Sequence, residues 1–312
     1  MRPRLVLCMG GCVIDRVGET TDAKERLHTS NIGRMRTSLG GVARNVAENL
    51  ARLGVEVSLL SRVGDDAEGH RLIAQSRKAG VDTQWVAKAA DTASASYTAI
   101  FNGEGELVIG LADMAVFEEI APSCVSKALL AAGGEALLFA DGNLPAPALQ
   151  AIAAGKGERL LAAVPVSQQK LARLTTILPD IDILFINRYE ATTLLGHTGD
   201  AALLAERLAA GPVKRGLLTL GPEGALAWEN GVVTRVPALA SRPVNVNGAG
   251  DALAAATLAR LVAGDGFHAA ASRAMAAAAL TVETTQTVCA GLTMDALLAR
   301  FTLSSRTETL SP

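Results

Sequence analysis

Short apolar runs alternate with amphipathic segments along most of the chain. Residues 5–9 are apolar throughout, which is typical of a strand that is buried on both faces. Residues 42–53 carry apolar side chains at positions 42, 46, 50 and 53, a helical spacing, and Gly54 predicts where that helix ends. The same reasoning predicts further strands at 55–60, 136–140, 159–164, 181–186 and 216–220, and further helices at 66–79, 167–178 and 188–195. Such alternation predicts an α/β fold with a mostly parallel sheet and helices on both faces.

Two segments interrupt this alternation. Residues 16–38 are polar and offer few side chains for a core, and residues 94–110 have the pattern of a β-hairpin around the turn at 102–105. We expect the two segments to form a small sheet that stands off the main body as a lid over the ligand side. Two ordinary surface excursions are the alternative interpretation.

Composition and charge narrow the classes of function. The 312 residues are 49% hydrophobic and 19% charged, which fits a globular protein. This length allows one large α/β domain or two smaller ones, and of these we expect one domain over residues 1–312. The net charge of −2 gives no basic footprint, so no nucleic-acid polymer is expected as a partner. No stretch has the pattern of a signal peptide or a membrane span, so we expect no membrane partner and a cytoplasmic protein. Four cysteines without metal-site spacing predict buried free thiols: Cys8, Cys12, Cys124 and Cys289. The polar residues 304–312 are expected to fray.

A glycine-rich turn that leads into an alanine-rich helix gives the strongest chemical signal. Residues 245–251 are NVNGAGD, and ALAAATLA follows directly. The first amides of a helix lack intrahelical partners and lie at the positive end of its dipole, so the turn with Gly248 and Gly250 predicts an anion site. A carboxylate there would repel a bound phosphate, so Asp251 is interpreted as a base beside the anion. An ordinary aspartate favoured by the helix dipole is the alternative.

Polar residues at other predicted strand ends add to this site. Asp15 closes the first predicted strand and offers two acceptor oxygens to a polyol. Gly41 precedes a helix and lets a ligand approach the backbone, and Asn45 lies one turn further along. Because ligands of parallel sheets bind beyond the carboxyl ends of the strands, we expect these residues to share one site.

Two motifs follow strands in the second half of the chain. Asn187 caps a predicted helix, and Glu190 is placed either for a capping box or as an outer partner of Mg²⁺. Thr219 ends a strand, and the turn with Gly221 and Gly224 is suited to line a nucleotide phosphate. The sequence has neither a GxxxxGK[ST] phosphate loop nor a GxGxxG dinucleotide fingerprint, which excludes a P-loop enzyme and disfavours hydride transfer.

The order of these motifs, from Asp15 through GG-x3-N, N-x2-E and T-x-G-x2-G to GAGD, resembles the ribokinase-like (PfkB) family of sugar and nucleoside kinases over about residues 4–301. The resemblance implies a ribokinase-like three-layer α/β/α sandwich with a small β-sheet lid, and ATP-dependent phosphorylation of an alcohol group with Mg²⁺. The segments at 30–33, 40–54, 113–114, 140–144, 165–167, 187–191 and 245–248 are most similar to family members that act on pseudouridine. The implied acceptor is therefore the 5′-hydroxyl of pseudouridine.

The resemblance also implies roles for single residues. Asp251 is the expected base, and the amides of Gly248, Ala249 and Gly250 are expected to hold the charge of the transferred phosphoryl group. Glu190 is expected to act through Mg²⁺ and its waters. The expected substrate-binding residues are Asp15, Ser30, Asn31, Gly41, Asn45 and Asn143. The expected nucleotide-binding residues are Asn187, Thr219, Gly221 and Gly224. The loop that would border a monovalent cation, commonly K⁺, includes Asn245 and Val246.

Two departures from the family pattern change these expectations. Related kinases often have Asp-Pro where this chain has Val164-Pro165, so Val164 supplies no carboxylate for the waters of Mg²⁺ and Glu190 must do more. Asn245 replaces an aspartate that can support the monovalent cation, which weakens the case for K⁺.

Two alternative functions and one assembly state follow from the same residues. A kinase of ribose, another nucleoside or a sugar phosphate is one alternative, and a phosphate clamp has cations available at Arg34, Arg36 and Arg44. A ligand-binding relative without catalysis is the other, and Val164 favours it. An apolar lid face would need a cover, and family members often pair through their lids, so we expect a homodimer.

Overall fold

The computed structural model describes residues 5–308, which form thirteen strands and ten α-helices. The strands are β1 (Leu5–Met9), β2 (Val13–Thr20), β3 (Gly33–Gly40), β4 (Glu56–Gly64), β5 (Val86–Ala89), β6 (Ser96–Phe101), β7 (Leu107–Asp113), β8 (Leu137–Asp141), β9 (Leu161–Val164), β10 (Ile183–Asn187), β11 (Arg215–Thr219), β12 (Ala225–Glu229) and β13 (Val232–Val236). The helices are α1 (Val42–Arg52), α2 (Ala67–Lys78), α3 (Pro122–Ala132), α4 (Ala146–Gly155), α5 (Gln168–Thr175), α6 (Arg188–Leu195), α7 (Ala201–Ala209), α8 (Ala249–Val262), α9 (Phe267–Val282) and α10 (Met294–Glu308).

Nine strands form the central sheet, in the order β13-β12-β11-β10-β9-β8-β1-β4-β5. Every neighbouring pair from β11 to β5 is parallel. At the other edge β12 and β13 continue the sheet in antiparallel pairing, after the glycine-rich turn that follows β11. The prediction of a mostly parallel sheet is therefore confirmed.

Strand β1 shows why helices cover both faces of this sheet. The side chains of Val6 and Cys8 belong to a core cluster that also contains residues of α1, α8 and α9. Leu7 and Met9 belong to a second cluster, with residues of α3, α4 and α7. All four side chains are fully buried, because successive residues of a strand point to opposite faces. The three-layer α/β/α sandwich is thus confirmed.

A second sheet contains four strands in the order β3-β2-β6-β7. It comprises the two interrupting segments, and Asn102 shapes the predicted hairpin turn by accepting the amides of Glu104 and Glu106 on its Oδ1. The small sheet is therefore confirmed and is called the lid sheet below, and its role as a cover over a ligand stays a prediction. One detail of the prediction is wrong. Strand β1 ends at Met9, and Asp15 is the third residue of lid strand β2 instead of the end of β1.

One face of the lid sheet carries an apolar stripe across all four strands. Gly18 on β2 is paired with Met35 on β3 and with Ile100 on β6, and Ile100 is paired with Ile109 on β7. A Cβ on Gly18 would lie 2.6 Å from the Met35 sulfur and 2.7 Å from Ile100 Cδ1, so the two side chains meet over the glycine. Met35 is 56% exposed and Ile109 59% exposed. We call Met35, Ile100 and Ile109 the lid stripe.

Three further predictions concern the C-terminal residues, the cysteines and membrane-spanning helices. The prediction that residues 304–312 fray is wrong for residues 304–308, which belong to α10. Residues 309–312 lie outside the described range. The four cysteines are free, and Cys124 is half-buried whereas the other three are buried. Within residues 5–308, no helix is both long enough and apolar enough for a membrane crossing.

Candidate active site

The parallel strands bring the predicted motifs to one edge of the central sheet. Asp141 at the end of β8 is in register with Val164 on β9, and Asn187 at the end of β10 is in register with Thr219 on β11. Because these strands are parallel, their carboxyl ends share an edge, which is where ligands bind in open α/β sheets.

The fully buried carboxylate of Asp141 joins three segments at this edge. Its Oδ2 accepts the amides of Gly11, in the turn after β1, and of Ala43, in the first turn of α1, each at 2.9 Å. Its Oδ1 accepts the amide of Asn143 at 2.8 Å. Burial raises the pKa of Asp141, and the three amide donors oppose that shift. Sequence reasoning gave Asp141 no role, although it directly follows the apolar run of β8.

Asp15 lies at the base of the lid, beside the glycine pair that precedes α1. A Cβ on Gly40 would lie 2.0 Å from Asp15 Oδ2, so the carboxylate fits only because residue 40 is a glycine. Gly41 caps α1 with a φ of 93°. Burial raises the pKa of Asp15 to about 6, and the charge of Arg44 opposes that shift. Asp15 therefore packs against Gly40, the residue before Gly41, and the shared ligand contact of Asp15 and Gly41 stays a prediction.

Asn45 on α1 holds Asp251 on α8. The Nδ2 of Asn45 donates to Asp251 Oδ2 at 2.7 Å. Burial raises the pKa of Asp251 to about 7, the hydrogen bond from Asn45 lowers it, and the charges of Asp141, Arg44 and Asp15 contribute smaller shifts. A carboxyl with a pKa near neutrality is suited to take a proton from a hydroxyl and to return it. Both polar atoms of Asn45 are bonded within the protein, so its predicted ribose contact stays a prediction.

The start of α8 has the features of the predicted anion site. Gly248 caps the helix in the left-handed region with a φ of 82°. The amide of Ala249 makes only a long bond of 3.4 Å to the carbonyl of Val246. Within the described residues, the amides of Gly250 and Asp251 have no hydrogen-bond acceptor. A Cβ on Gly250 would meet nothing within 4 Å, so there is open space at these amides.

Asn143 is buried close to the same edge. Its Oδ1 accepts a hydrogen bond from the Nζ of Lys170 on α5. Burial lowers the pKa of Lys170, and the charge of Asp141 opposes that shift. Lys170 is a second residue that sequence reasoning missed, since a lysine in an amphipathic helix usually faces solvent.

Ser30 and Asn31 are placed apart from these groups. They lie in the exposed turn between β2 and β3, beyond Thr20, which is five strand residues from Asp15, or roughly 17 Å. The Asn31 side chain bonds the backbone nitrogen and oxygen of Arg26, at 2.7 Å and 2.9 Å. The structure does not bring the pair to the Asp15–Asp251 cluster, and their contact with substrate stays a prediction.

Asn187 and Glu190 form the capping box that the sequence allowed. Asn187 Oδ1 accepts the Glu190 amide at 2.9 Å, and Glu190 Oε2 accepts the Asn187 amide at 3.0 Å. Burial raises the pKa of Glu190, and the bond from Asn187 opposes it. No described group donates to Glu190 Oε1, so that oxygen fits a water of Mg²⁺. Within residues 5–308, no cluster of three or more histidine, cysteine or acidic side chains could bind a metal directly.

Thr219 and the turn after β11 lie next to this capping box. Thr219 is in register with Asn187, and its Oγ1 donates to the carbonyl of Ile186 at 3.4 Å. Gly221 is exposed. Gly224 is buried, and a Cβ at this position would lie 2.2 Å from the carbonyl oxygen of Val236, so close packing requires a glycine here.

The loop of Asn245 and Val246 holds itself with side-chain hydrogen bonds. Asn245 Nδ2 donates to the carbonyl of Thr285 at 3.2 Å, and Asn245 Oδ1 accepts the amide of Asn247 at 3.0 Å. Both polar atoms of the side chain are therefore occupied, and an N–H group takes the place next to the Thr285 carbonyl. The predicted places of Asn245 and Val246 beside a monovalent cation stay predictions.

Residues 3–290 match the family described as pfkB family carbohydrate kinase. The chain belongs to this family.

This carbohydrate kinase has relatives of known sequence and structure. The pseudouridine kinase of Escherichia coli K12 is 29% identical over 267 residues, which are 80% of this chain and 81% of the relative. A carbohydrate kinase from Agrobacterium tumefaciens, whose structure is solved, is 33% identical with a TM-score of 0.81 and covers 96% and 98% of the two chains. Arabidopsis thaliana ribokinase, solved with ribose and ATP, is 20% identical with a TM-score of 0.81 over 96% and 99%, which shows the fold alone.

The two glycines of the GAGD turn are expected to respond differently to alanine. Gly248→Ala should lower the free energy of unfolding by about 1–3 kcal/mol, because a Cβ at a φ of 82° would lie 1.9 Å from the Thr287 carbonyl oxygen. Gly250→Ala should leave stability unchanged or slightly raised, yet lower phosphoryl transfer, because its methyl group would stand in the open space beside the free amides. Urea unfolding and ADP release measure the two effects. Full turnover by Gly250→Ala would show that no phosphate occupies this space.

Asp251→Asn is expected to stabilise the kinase at alkaline pH. A folded-state pKa of about 7, above the ordinary 3.8, means that the folded protein binds this proton more tightly, so ionisation costs stability increasingly up to about pH 7. At pH 8 the free energy of unfolding of the variant should exceed that of wild type by on the order of 1 kcal/mol, a value discounted because the Asp251 side chain is half-buried. At pH 5 the difference should be smaller. Thermal unfolding at both pH values measures this, with Asp91→Asn on the surface as control. An equal gain at both values would contradict the raised pKa.

Proposed function

We propose that this kinase transfers the γ-phosphoryl group of ATP to the 5′-hydroxyl of pseudouridine. The observation that carries the proposal is the Asp251 carboxyl, held by Asn45 at the start of α8 beside unpaired amides. An anion site with an adjacent base is what transfer of a phosphoryl group to a hydroxyl requires. The match to a pseudouridine kinase along most of both chains supports the choice of acceptor.

The proton and the phosphoryl group follow separate routes in this mechanism. Asp251 Oδ1 has no donor among the described residues, and it takes the proton of the 5′-hydroxyl while the hydroxyl oxygen bonds to the γ-phosphorus. The bond from that phosphorus to the bridging oxygen breaks, and ADP leaves with the electron pair. The amides of Gly248, Ala249 and Gly250 hold the negative charge on the transferred group. Because the pKa of Asp251 is about 7, the carboxyl releases its proton at neutral pH.

Several residues hold the nucleoside in this proposal. Asp15 accepts hydrogen bonds from ribose hydroxyls at the base of the lid, near the half-buried Gly41. Asn143 borders the same pocket, and Ser30 and Asn31 lie on the lid as candidates for the base edge. A lid over the site keeps water from the γ-phosphoryl group, which would otherwise be hydrolysed.

The nucleotide and its metal are assigned to the opposite half of the sheet edge. Asn187, Thr219, Gly221 and Gly224 line the nucleotide. Glu190 Oε1 would hold a water of Mg²⁺, and the bound ion would supply positive charge to balance the phosphates. Val164 offers no carboxylate, and Asp141, which is in register with it, uses its oxygens to accept three amides. Glu190 is therefore the acidic group left for this task.

The arginines near the substrate motifs favour an uncharged acceptor over a sugar phosphate. Arg36 is paired with Glu19 at 2.5 Å, and Arg44 is paired with Glu48 at 2.6 Å. A phosphate clamp needs cations that are free to bind a second anion. Two of the three candidate arginines are already paired with carboxylates of this chain.

A panel of acceptors tests the substrate. ADP release is measured with Mg-ATP and pseudouridine, uridine, ribose or fructose 6-phosphate, and pseudouridine should give the highest kcat/KM. Preference for another acceptor would contradict pseudouridine as the substrate but would support the kinase activity. Pseudouridine binding in calorimetry without any transfer would indicate a ligand-binding relative.

Asp251→Asn tests the base. The variant should bind ATP nearly as wild type does but lose turnover by a factor on the order of 10² or more, because an amide cannot take the proton. Calorimetry with a nucleotide and a steady-state assay measure the two quantities. Turnover close to that of wild type would refute the assignment of Asp251.

We further propose that two kinase chains pair through their lids. The lid stripe is apolar and largely exposed in a single chain, and exposed apolar patches of this kind mark interaction surfaces. A twofold axis would let the same stripe cover itself, as isologous dimers do.

The dimer is tested by charge placed in the lid stripe. Wild type should have a dimer mass in light scattering at micromolar concentration, and Ile109→Asp should shift it to the monomer. Leu130→Asp is the control, because Leu130 is also apolar and even more exposed, at 84%, but lies on α3. A monomeric wild type, or a shift in the control alone, would contradict pairing through the lids.

A further inference from the structure

A buried ion-pair chain runs along one face of α1. The NH1 of Arg44 donates to Glu48 Oε2 at 2.6 Å, and the NH2 of Arg52 donates to Glu48 Oε1 at 2.7 Å. The three residues are spaced four apart, which places them on one side of a helix. Arg44 is only 2% exposed. A guanidinium this deeply buried is held in place, and its charge is balanced, by Glu48.

The inner end of the chain reaches the amide that contacts the proposed base. The NH2 of Arg44 donates to Asn45 Oδ1 at 2.5 Å, and Asn45 Nδ2 donates to Asp251 Oδ2 at 2.7 Å. A guanidinium can only donate hydrogen bonds, so the atom of Asn45 that faces it must be the oxygen. The NH₂ group of Asn45 must then face Asp251. If the Asn45 amide were reversed, its NH₂ group would face the N–H groups of Arg44, and its oxygen would face the carboxylate of Asp251.

This orientation matters for the state of Asp251. An N–H donor on a carboxyl favours the ionised form, which is the form that a base needs. It also fixes Oδ2 and leaves Oδ1 without a donor among the described residues. The charged groups that face Asp251 from the packed elements are Arg44 on α1, Asp15 on β2 and Asp141 on β8. Arg44 is the cation among them.

We propose that Arg44 is a positioning residue, which orients the Asn45 amide so that its NH₂ group holds Asp251 ionised with one oxygen free for the acceptor hydroxyl. This rests on the proposed role of Asp251 as the base. Arg44 itself touches neither the hydroxyl nor the phosphate. Its effect on the reaction passes through Asn45 and through its own charge.

Replacing Arg44 with a neutral residue of similar length tests the proposal. In Arg44→Met the acid limb of the kcat–pH profile should move up by about one unit, so kcat falls about tenfold on the acid side and recovers at high pH. Arg44→Lys keeps the charge but lacks the fork, so one ammonium cannot serve Glu48 and Asn45 as the guanidinium does. The acid limb of Arg44→Lys should lie between those of Arg44→Met and wild type. This variant provides the test if Arg44→Met does not fold.

A merely structural role would give a different pattern. Loss of packing would lower kcat by the same factor at every pH and leave the limb where it is. Arg71→Met, on the exposed face of α2, controls for the loss of one positive charge and should leave the profile unchanged. An unmoved acid limb in both Arg44 variants would overturn the proposal.

A second readout needs no substrate. The carboxyl carbon of Asp251 is titrated by NMR in the ligand-free protein with ¹³C-labelled aspartate, and its signal is assigned by its absence in Asp251→Asn. The midpoint should rise in Arg44→Met and stay constant in Arg71→Met. If the midpoint rises in Arg44→Met but wild type does not turn over pseudouridine, the proposed substrate is wrong and the role of Arg44 stands. If the midpoint is unchanged and wild type turns over pseudouridine, the role of Arg44 is wrong and the proposed substrate stands.

Discussion

The buried carboxylate of Asp141 is the contact on which the arrangement of the site depends. One side chain accepts amides from the turn after β1, from the first turn of α1 and from the turn after β8. An ion without such donors would be costly in a fully buried place, so the three segments must come together for the carboxylate to be accommodated. Their meeting point fixes where α1 begins, and therefore where Arg44 and Asn45 lie relative to α8.

The site also concentrates negative charge beside the Arg44 guanidinium. Asp15, Asp141 and Asp251 lie close enough for the charges of the first two to raise the pKa of the third, and Arg44 opposes them. Burial, the largest cause, raises the pKa of both Asp15 and Asp251 towards neutrality. Groups placed in this way are unfavourable for stability but useful for proton transfer, which is the usual relation between strained electrostatics and activity.

The sequence was sufficient for the elements whose pattern is local. Apolar runs gave the buried strands, and residues 245–251 indicated the anion site, because the free amides at a helix start do not depend on distant contacts. The position of Asp15 was wrong by one strand, since residues 12–14 are apolar like residues 5–9 and their pattern predicts that the first strand continues across the Gly10-Gly11 turn. The roles of Asp141 and Arg44 were missed because each depends on partners from other segments or on which atom of an amide faces it. Burial of a charge is a tertiary property, and no spacing rule reports it.

The lid strands β2 and β3 and helix α1 belong to neighbouring parts of the chain. Strand β2 carries Asp15, β3 ends at Gly40, and α1 begins two residues later and carries Arg44 and Asn45. The lid stripe lies on the same strands, on the side occupied by Gly18, whereas Asp15 points to the opposite face because it is an odd number of residues away. In the dimer that we propose, covering the stripe would hold β2 and β3 without touching the substrate face. Pairing of the lids would then order Asp15 through the sheet itself, with no residue from the second chain needed in the pocket.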